Sequence, residues 1–194
     1  VVDDGSSDGT FSIAAGLPLH ALRHAVNLGQ GAALETGTIH ALDRGAEVVV
    51  HFDADGQHPV EDIDALVSPI LGGEADVVFG SRFLRAADRE RVPRLKRLLL
   101  RAAVIFSGLM TGVWLSDAHN GFRALSRSAA ARIRLRENGF AHATEILSQV
   151  RAARLRWRER PTTVRYTDYS KAKGQPAVNS LGILLDLMLR RLFR

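Results

Sequence analysis

The sequence predicts an α/β domain on a mostly parallel central sheet flanked by helices, and three observations carry that prediction. Two β-branched runs, Glu47–Asp53 (EVVVHFD) and Asp76–Gly80 (DVVFG), are apolar enough to be strands covered on both faces. They alternate with stretches of helical periodicity, the pattern of strand–helix–strand crossovers. The polar clusters after Val2, Phe52 and Phe79 all follow the carboxyl ends of strands, where open α/β sheets bind ligands.

Taken in order, Val1-Val2 reads as the end of a strand, so a first strand is expected upstream and missing from this chain. Asp8–Leu17 has the periodicity of a short helix capped by Ser7 or Asp8. His20–His24 is a candidate short strand, and Gly31–Arg44 a helix with Ala33, Ile39, Ala41 and Leu42 apolar and Gly45 as its stop. Pro59 opens another helix, whose positive end is favoured by Glu61, Asp62 and Asp64. Pro93–Gly112 reads as a long helix with Arg94, Arg97 and Arg101 on one face. Its apolar stretch, Ala102–Leu115, is shorter than the roughly 20 residues that span a bilayer. Ala141–Ala153 is a helix and Thr162–Thr167 a strand. Val178–Phe193 is an apolar helix with polar residues every fourth position, and serves either as a docking helix of the core or as an interfacial membrane helix.

With 46% apolar and 24% charged residues over 194 positions, the chain has the size and composition of one globular domain. The absence of cysteine excludes disulfides, thiolate metal sites and cysteine nucleophiles, and suits a reducing cytoplasm. The net charge of +5 is unevenly divided. Residues 1–81 carry 13 Asp and Glu against 2 Arg, whereas residues 82–160 carry 18 Lys and Arg against 6 Asp and Glu. An acidic half suits a divalent cation; a basic half suits phosphates or an anionic surface. Nucleic acid is not expected as a partner, because the basic half lacks interleaved aromatics and any recognisable binding motif.

Three elements carry chemistry. Asp53-Ala54-Asp55-Gly56-Gln57-His58 sets two carboxylates at a strand end, oxygen ligands of the kind that Mg²⁺ or Mn²⁺ prefers alongside water and phosphate. The loop lacks the further acidic positions of an EF-hand. Asp3-Asp4-Gly5-Ser6-Ser7-Asp8-Gly9-Thr10 is at the least a turn with a helix cap, and its paired carboxylates are also acceptors for a base N–H or a ribose hydroxyl. Asn27-Leu28-Gly29-Gln30-Gly31 brings glycines to a helix start, where backbone approaches a diphosphate closely.

Together with VVFGSR and with HNGFRAL and its upstream Asp117, these motifs resemble family 2 glycosyltransferases, specifically the dolichol-phosphate-mannose and polyprenyl-phosphate-sugar synthases. The resemblance runs from residue 1 to about residue 170. It implies a GT-A fold, a nucleoside-diphosphate sugar donor (UDP- or GDP-linked), Mg²⁺ or Mn²⁺, and a lipid-phosphate acceptor. It assigns the donor nucleotide to Asp3, Asp4, Asn27, Gly29, Gly31 and Asp53, and the metal to Asp53, Asp55 and Gln57. The acceptor phosphate falls to Arg82, Arg101 and Arg97, and the reacting centre to Asp53, Asp55, Arg82 and Asp117. One domain, 1–194, is expected, with a donor half at 1–81, an acceptor half at 82–176 and the last helix at 177–194. The location expected is cytoplasmic, peripheral at the membrane face.

A lipid phosphate attacks as a ready anion, since its second pKa is near 6, and needs no general base. A saccharide hydroxyl needs one, for which Asp117, Glu145 and, less well, His119 are the candidates. Glu145 reads equally as a partner for a basic-half arginine, Arg123 as structural rather than acceptor-binding, and Lys171 and Lys173 as a basic flap or a solvated loop. A nucleotidyltransferase would open on a glycine-rich basic signature instead of DDGSSDGT. A non-enzymatic nucleotide-binding or membrane-docking remnant is the remaining alternative.

Overall fold

The computed structural model describes residues 1–85, 94–118, 120–139 and 141–165, without the side chains of Arg94, Leu95, Lys96 and Leu99. The expectations for His119, for Lys171 and Lys173 and for the 178–193 helix lie outside the described residues.

Strands β3 (Val48–His51), β4 (Val77–Ser81), β5 (Arg123–Ser126) and β6 (Trp157–Pro161) form one sheet in the order β3-β5-β4-β6. β4 and β6 are parallel, while β5 runs antiparallel to both β3 and β4 between them. A second, two-stranded parallel sheet pairs β1 (Val2–Asp3) with β2 (Leu22–Arg23). The helices are α1 (Thr10–Ala15), α2 (Gln30–Asp43), α3 (Ile63–Leu71), α4 (Arg94–Thr111), α5 (Arg127–Arg132) and α6 (His142–Ala152).

Strand alternation divides the core into two layers, because successive side chains point to opposite faces. Val49, Val77, Phe79 and Leu125 face one way, onto Ala129 and Ala130 of α5 and Ile146, Leu147 and Val150 of α6. Val78, Ala124, Val48 and Val50 face the other way, onto Leu66, Ile63, Val67 and Ile70 of α3. Every residue of β4 is buried, as a central strand covered on both faces requires.

Three expectations are corrected. The last strand is Trp157–Pro161, not Thr162–Thr167: Thr162 N donates to Ser81 O just past the ladder, and residues 162–165 are not strand. Its alternating charges (WRERP) suit an edge strand with a solvated side, and its proline stands at the strand's end. The helix after Pro59 begins only at Ile63, behind a 3₁₀ turn at Val60–Asp62. The first helix is shorter than Asp8–Leu17, and its cap is Gly9. Asp8 instead accepts from the backbone N–H and hydroxyl of Thr10.

Two histidines lie in the sheet's polar end layer. His51 Nε2 is 3.0 Å from Thr38 Oγ1, and His142 Nδ1 is 2.8 Å from Gly139 O. Burial, then the Arg123 charge, lowers the pKa of both, His51 to about 3. The folded state therefore holds neutral imidazoles, and their stabilising contribution is complete above the unfolded value near 6.5. As pH falls below about 6.5 the unfolded chain gains protons that the fold refuses, and for His51 stability drops by up to about 1.4 kcal/mol per pH unit towards 3, with His142 adding a loss of the same sign. Urea unfolding at stepped pH should show this slope, and His51→Asn should flatten it.

Candidate functional site: an acidic edge at the strand ends

Asp4 is the anchor of the amino-terminal part of the site. Its Oδ1 accepts from Leu28 N (2.9 Å) and lies 2.7 Å from His24 Nδ1, and its Oδ2 accepts from Gly29 N (2.7 Å). Burial pushes the carboxyl's pKa up, but these hydrogen bonds outweigh it and hold the group below the ordinary aspartate value. His24 is steadied in turn by Thr36 Oγ1 at 2.9 Å. Asp3 is buried, accepts from Ser6 N through Oδ1 and meets Arg23 Nε at 3.3 Å. Asn27 is exposed.

The Asn27–Gly31 loop carries this anchorage to the next motif, because Gln30 Nε2 donates to Asp53 Oδ1 at 3.1 Å. Gly31 N donates to Asn138 O at 2.8 Å, and a Cβ on Gly29 or Gly31 would overlap the main chain of Asn138 or Glu137. The close approach that these glycines permit brings the Glu137–Asn138 main chain against the start of α2. Gly29 also has φ +104°, a region closed to most other residues.

Asp53 and Asp55 follow β3 and are half-buried. Asp55 Oδ1 accepts from Gln57 N at 2.9 Å, which closes the turn. One oxygen of each carboxylate is thus held by the protein, while the other accepts no hydrogen bond among the described residues. That donor set, two oxygens presented from one tight turn, fits a hard divalent cation completing its shell with water and phosphate. Gln57 is half-buried beside them, and its carbonyl accepts from Arg165 N. Among the described residues no group of three or more His, Asp or Glu surrounds a common point, so protein ligands alone do not build a closed metal cage.

His58, absent from the expected site residues, links this turn to the basic half. It is buried, 4.8 Å from the Phe122 ring and 6.5 Å from that of Phe52. Burial lowers its pKa, while Asp53, Asp55 and Asp117 oppose that and Arg82 adds to it. The four charged residues expected at the reacting centre therefore all act electrostatically on one imidazole. Arg82 and Asp117 form a buried two-point pair, Nε to Oδ2 at 2.6 Å and Nη2 to Oδ1 at 3.3 Å, and Arg82 N also donates to Asp117 Oδ2. Asp117 is thereby a counter-ion of Arg82.

The Glu145 carboxylate accepts from Arg136 N and Glu137 N, main-chain amides and not an arginine side chain, and so fastens the irregular segment beside the start of α2. On α4, Arg97 is half-buried and Arg101 exposed. A separate hollow of about 540 Å³ lies between α2 and α5, lined by residues such as Glu35, Ile39 and Arg134 and by none of the acidic-edge residues.

Residues 1–134 match the model of glycosyl transferase family 2. The chain belongs to that family. It is 29% identical to the UDP-N-acetylglucosamine–dolichyl-phosphate N-acetylglucosaminyltransferase of Methanococcus voltae, over 99% of this chain and 84% of that protein. It is 35% identical to the polyprenol monophosphomannose synthase of Mycolicibacterium smegmatis, over 70% of this chain and 53% of that one. The fold is similar to the glucosyl-3-phosphoglycerate synthase of M. tuberculosis, with a TM-score of 0.65 and 21% identity over 92% of this chain and 62% of that structure. That synthase has also been solved with Mn²⁺ and UDP-glucose, a structure this chain matches with a TM-score of 0.62 at 20% identity over 97% of this chain and 66% of that one. These comparisons confirm the glycosyltransferase class and the GT-A fold expected from the motifs.

Two predictions follow from the glycosyltransferase's edge. Asp117→Ala removes the carboxylate that meets a buried guanidinium at two points and should lower unfolding free energy by up to about 3–5 kcal/mol in denaturant titration. Gly31→Ala should lower it by about 1–3 kcal/mol, since main chain must move to admit the methyl group.

Proposed function

We propose that this glycosyltransferase moves a sugar, with inversion, from a nucleoside-diphosphate donor to a polyprenyl or dolichyl phosphate, with Mg²⁺ or Mn²⁺ bound at Asp53 and Asp55. The observation that carries the choice of acceptor is the engagement of Asp117 and Glu145, the two carboxylates that are candidate bases for a hydroxyl acceptor. Asp117 is held by Arg82, and Glu145 by the Arg136 and Glu137 amides. A phosphate monoester is already an anion near neutral pH and attacks without giving up a proton.

The bound cation would supply charge stabilisation for the departing nucleoside diphosphate. The protein's part is positional. Asp3 and Asp4 stand by the donor's nucleoside, Gln30 fixes one oxygen of Asp53, and the Gln57 amide fixes one oxygen of Asp55. Arg82, its guanidinium oriented by Asp117, is the first contact for the acceptor phosphate, with Arg97 and Arg101 further along on α4. Preorganised donors of this kind stabilise charge without reorganising at the moment of reaction.

A lipid acceptor also accounts for the exposed face of α4. Leu98, Ile105 and Leu109 stand 54–71% exposed on that helix, with Arg101 among them and Trp114 just beyond it. An apolar stripe beside a cation suits a peripheral position at an anionic membrane surface, on the cytoplasmic side if the nucleotide sugar is drawn from there. Among the described residues no helix is long and apolar enough to cross a membrane. Relatives whose names specify dolichyl-phosphate and polyprenol substrates support the same class of acceptor.

The test is transfer of radiolabelled sugar from UDP- and GDP-linked donors to a short polyprenyl phosphate in detergent. Transfer should depend on added Mn²⁺ or Mg²⁺ and fall about 100-fold or more in Asp55→Ala. Efficient transfer to saccharide hydroxyls with none to the lipid phosphate would refute this choice of acceptor.

A further inference from the structure

We propose that Arg123 is a positioning residue for the donor side of the site, a buried cation set behind Asp53 that holds its carboxylate in place, while Gly121 keeps the space before that carboxylate open. The proposal rests on the reading of Asp53 and Asp55 as donor and metal carboxylates.

Register brings these residues together. In the β3–β5 ladder His51 pairs with Arg123, and extending that antiparallel register by two residues sets Asp53 opposite Gly121. Directly opposed residues share a sheet face, and a step of two returns to the same face. The contact is close: a Cβ on Gly121 would lie 3.0 Å from Asp53 Oδ2. Arg123 Nε donates to Gly121 O at 3.1 Å, so the arginine also braces the segment that Asp53 leans on.

The charge balance is what a purely structural reading leaves unaccounted for. Arg123 is 3% exposed, and among the described residues no carboxylate lies within ion-pair distance of it. A buried guanidinium without a carboxylate partner is costly, and an apolar side chain of similar volume would make a more stable core. Burial lowers its pKa to about 10, and the acidic group that works against this is Asp53. Its other polar neighbours, His51 and His142, are kept neutral by burial and by Arg123 itself, so they offer no compensation. Asp53 therefore receives a hydrogen bond from Gln30 on one oxygen and lies in the field of a fixed positive charge on the same face of the sheet.

The test compares the full chain with Arg123→Met, Arg123→Lys and Gly121→Ala, measuring Mn²⁺ binding in the presence of UDP or of GDP by calorimetry, and folding by circular dichroism and thermal midpoint. Arg123→Met, if folded, should bind the Mn²⁺–nucleotide roughly 10- to 100-fold more weakly, the range seen when residues that orient metal ligands are lost. Arg123→Lys should recover most of that affinity. Unchanged affinity in a folded Arg123→Met overturns the proposal. Should that variant fail to fold, Gly121→Ala decides, because it keeps the charge and crowds the carboxylate: weakened binding at an unaltered midpoint supports the proposal, and unaltered binding overturns it. A wild-type chain that binds no Mn²⁺–nucleotide defeats the functional reading alone. The positioning role is then read from crystal structures, where loss of the Gln30 Nε2–Asp53 Oδ1 bond in Arg123→Met supports it and an unchanged carboxylate overturns it.

Discussion

The polar edge depends on the register of β5 between β3 and β4. Arg123 is opposite His51 on one side and Phe79 on the other, so one short antiparallel strand aligns two co-directional strands and the loops beyond them. Slipping that strand by one residue would exchange its two faces, placing Leu125 in the α3 layer and Ala124 in the α5–α6 layer. It would also carry Gly121 away from Asp53. The two hydrophobic layers therefore enforce the geometry of the acidic turn, and core packing and site geometry are specified by the same pairings.

A second set of constraints runs through side chains. Asp4 holds the Leu28 and Gly29 amides, Gln30 reaches Asp53, and His58, buried against Phe122, feels the charges of both the acidic turn and the Arg82–Asp117 pair. The chain's division into an acidic and a basic half becomes a boundary at the strand ends, with Asp53 and Asp55 on one side and Arg82 on the other. An acceptor phosphate would find opposite charge at Arg82, and a donor diphosphate would find it only through a divalent cation held at Asp53 and Asp55.

Much of this was legible in the sequence because its signals were local. The β-branched EVVVH and DVVF runs gave β3 and β4, and the family motifs gave the fold and the transferase class. What escaped the sequence depends on distant pairing. Arg123-Ala124-Leu125-Ser126 is too short and too mixed to announce a strand, and only its partners in β3 and β4 make it one. The charged Trp157–Pro161 segment resembles a loop until β4 is laid beside it. The partners of Asp117 and Glu145 were also hidden, because a sequence does not show which carboxylate meets a guanidinium and which a pair of main-chain amides. His58 stood next to a recognised motif, and its position after DADGQ was the available clue.

Metal-dependent nucleotide binding tests the central claim most directly, that the strand-end edge is a donor site built around a divalent cation. The measurement is a thermal-shift panel of UDP, GDP and their common sugars, each with and without Mn²⁺. The account predicts stabilisation only when metal and one class of nucleotide are present together, because a ligand bound to the folded state alone raises its apparent stability. Stabilisation by nucleotide regardless of metal, or none with any pair, would contradict it.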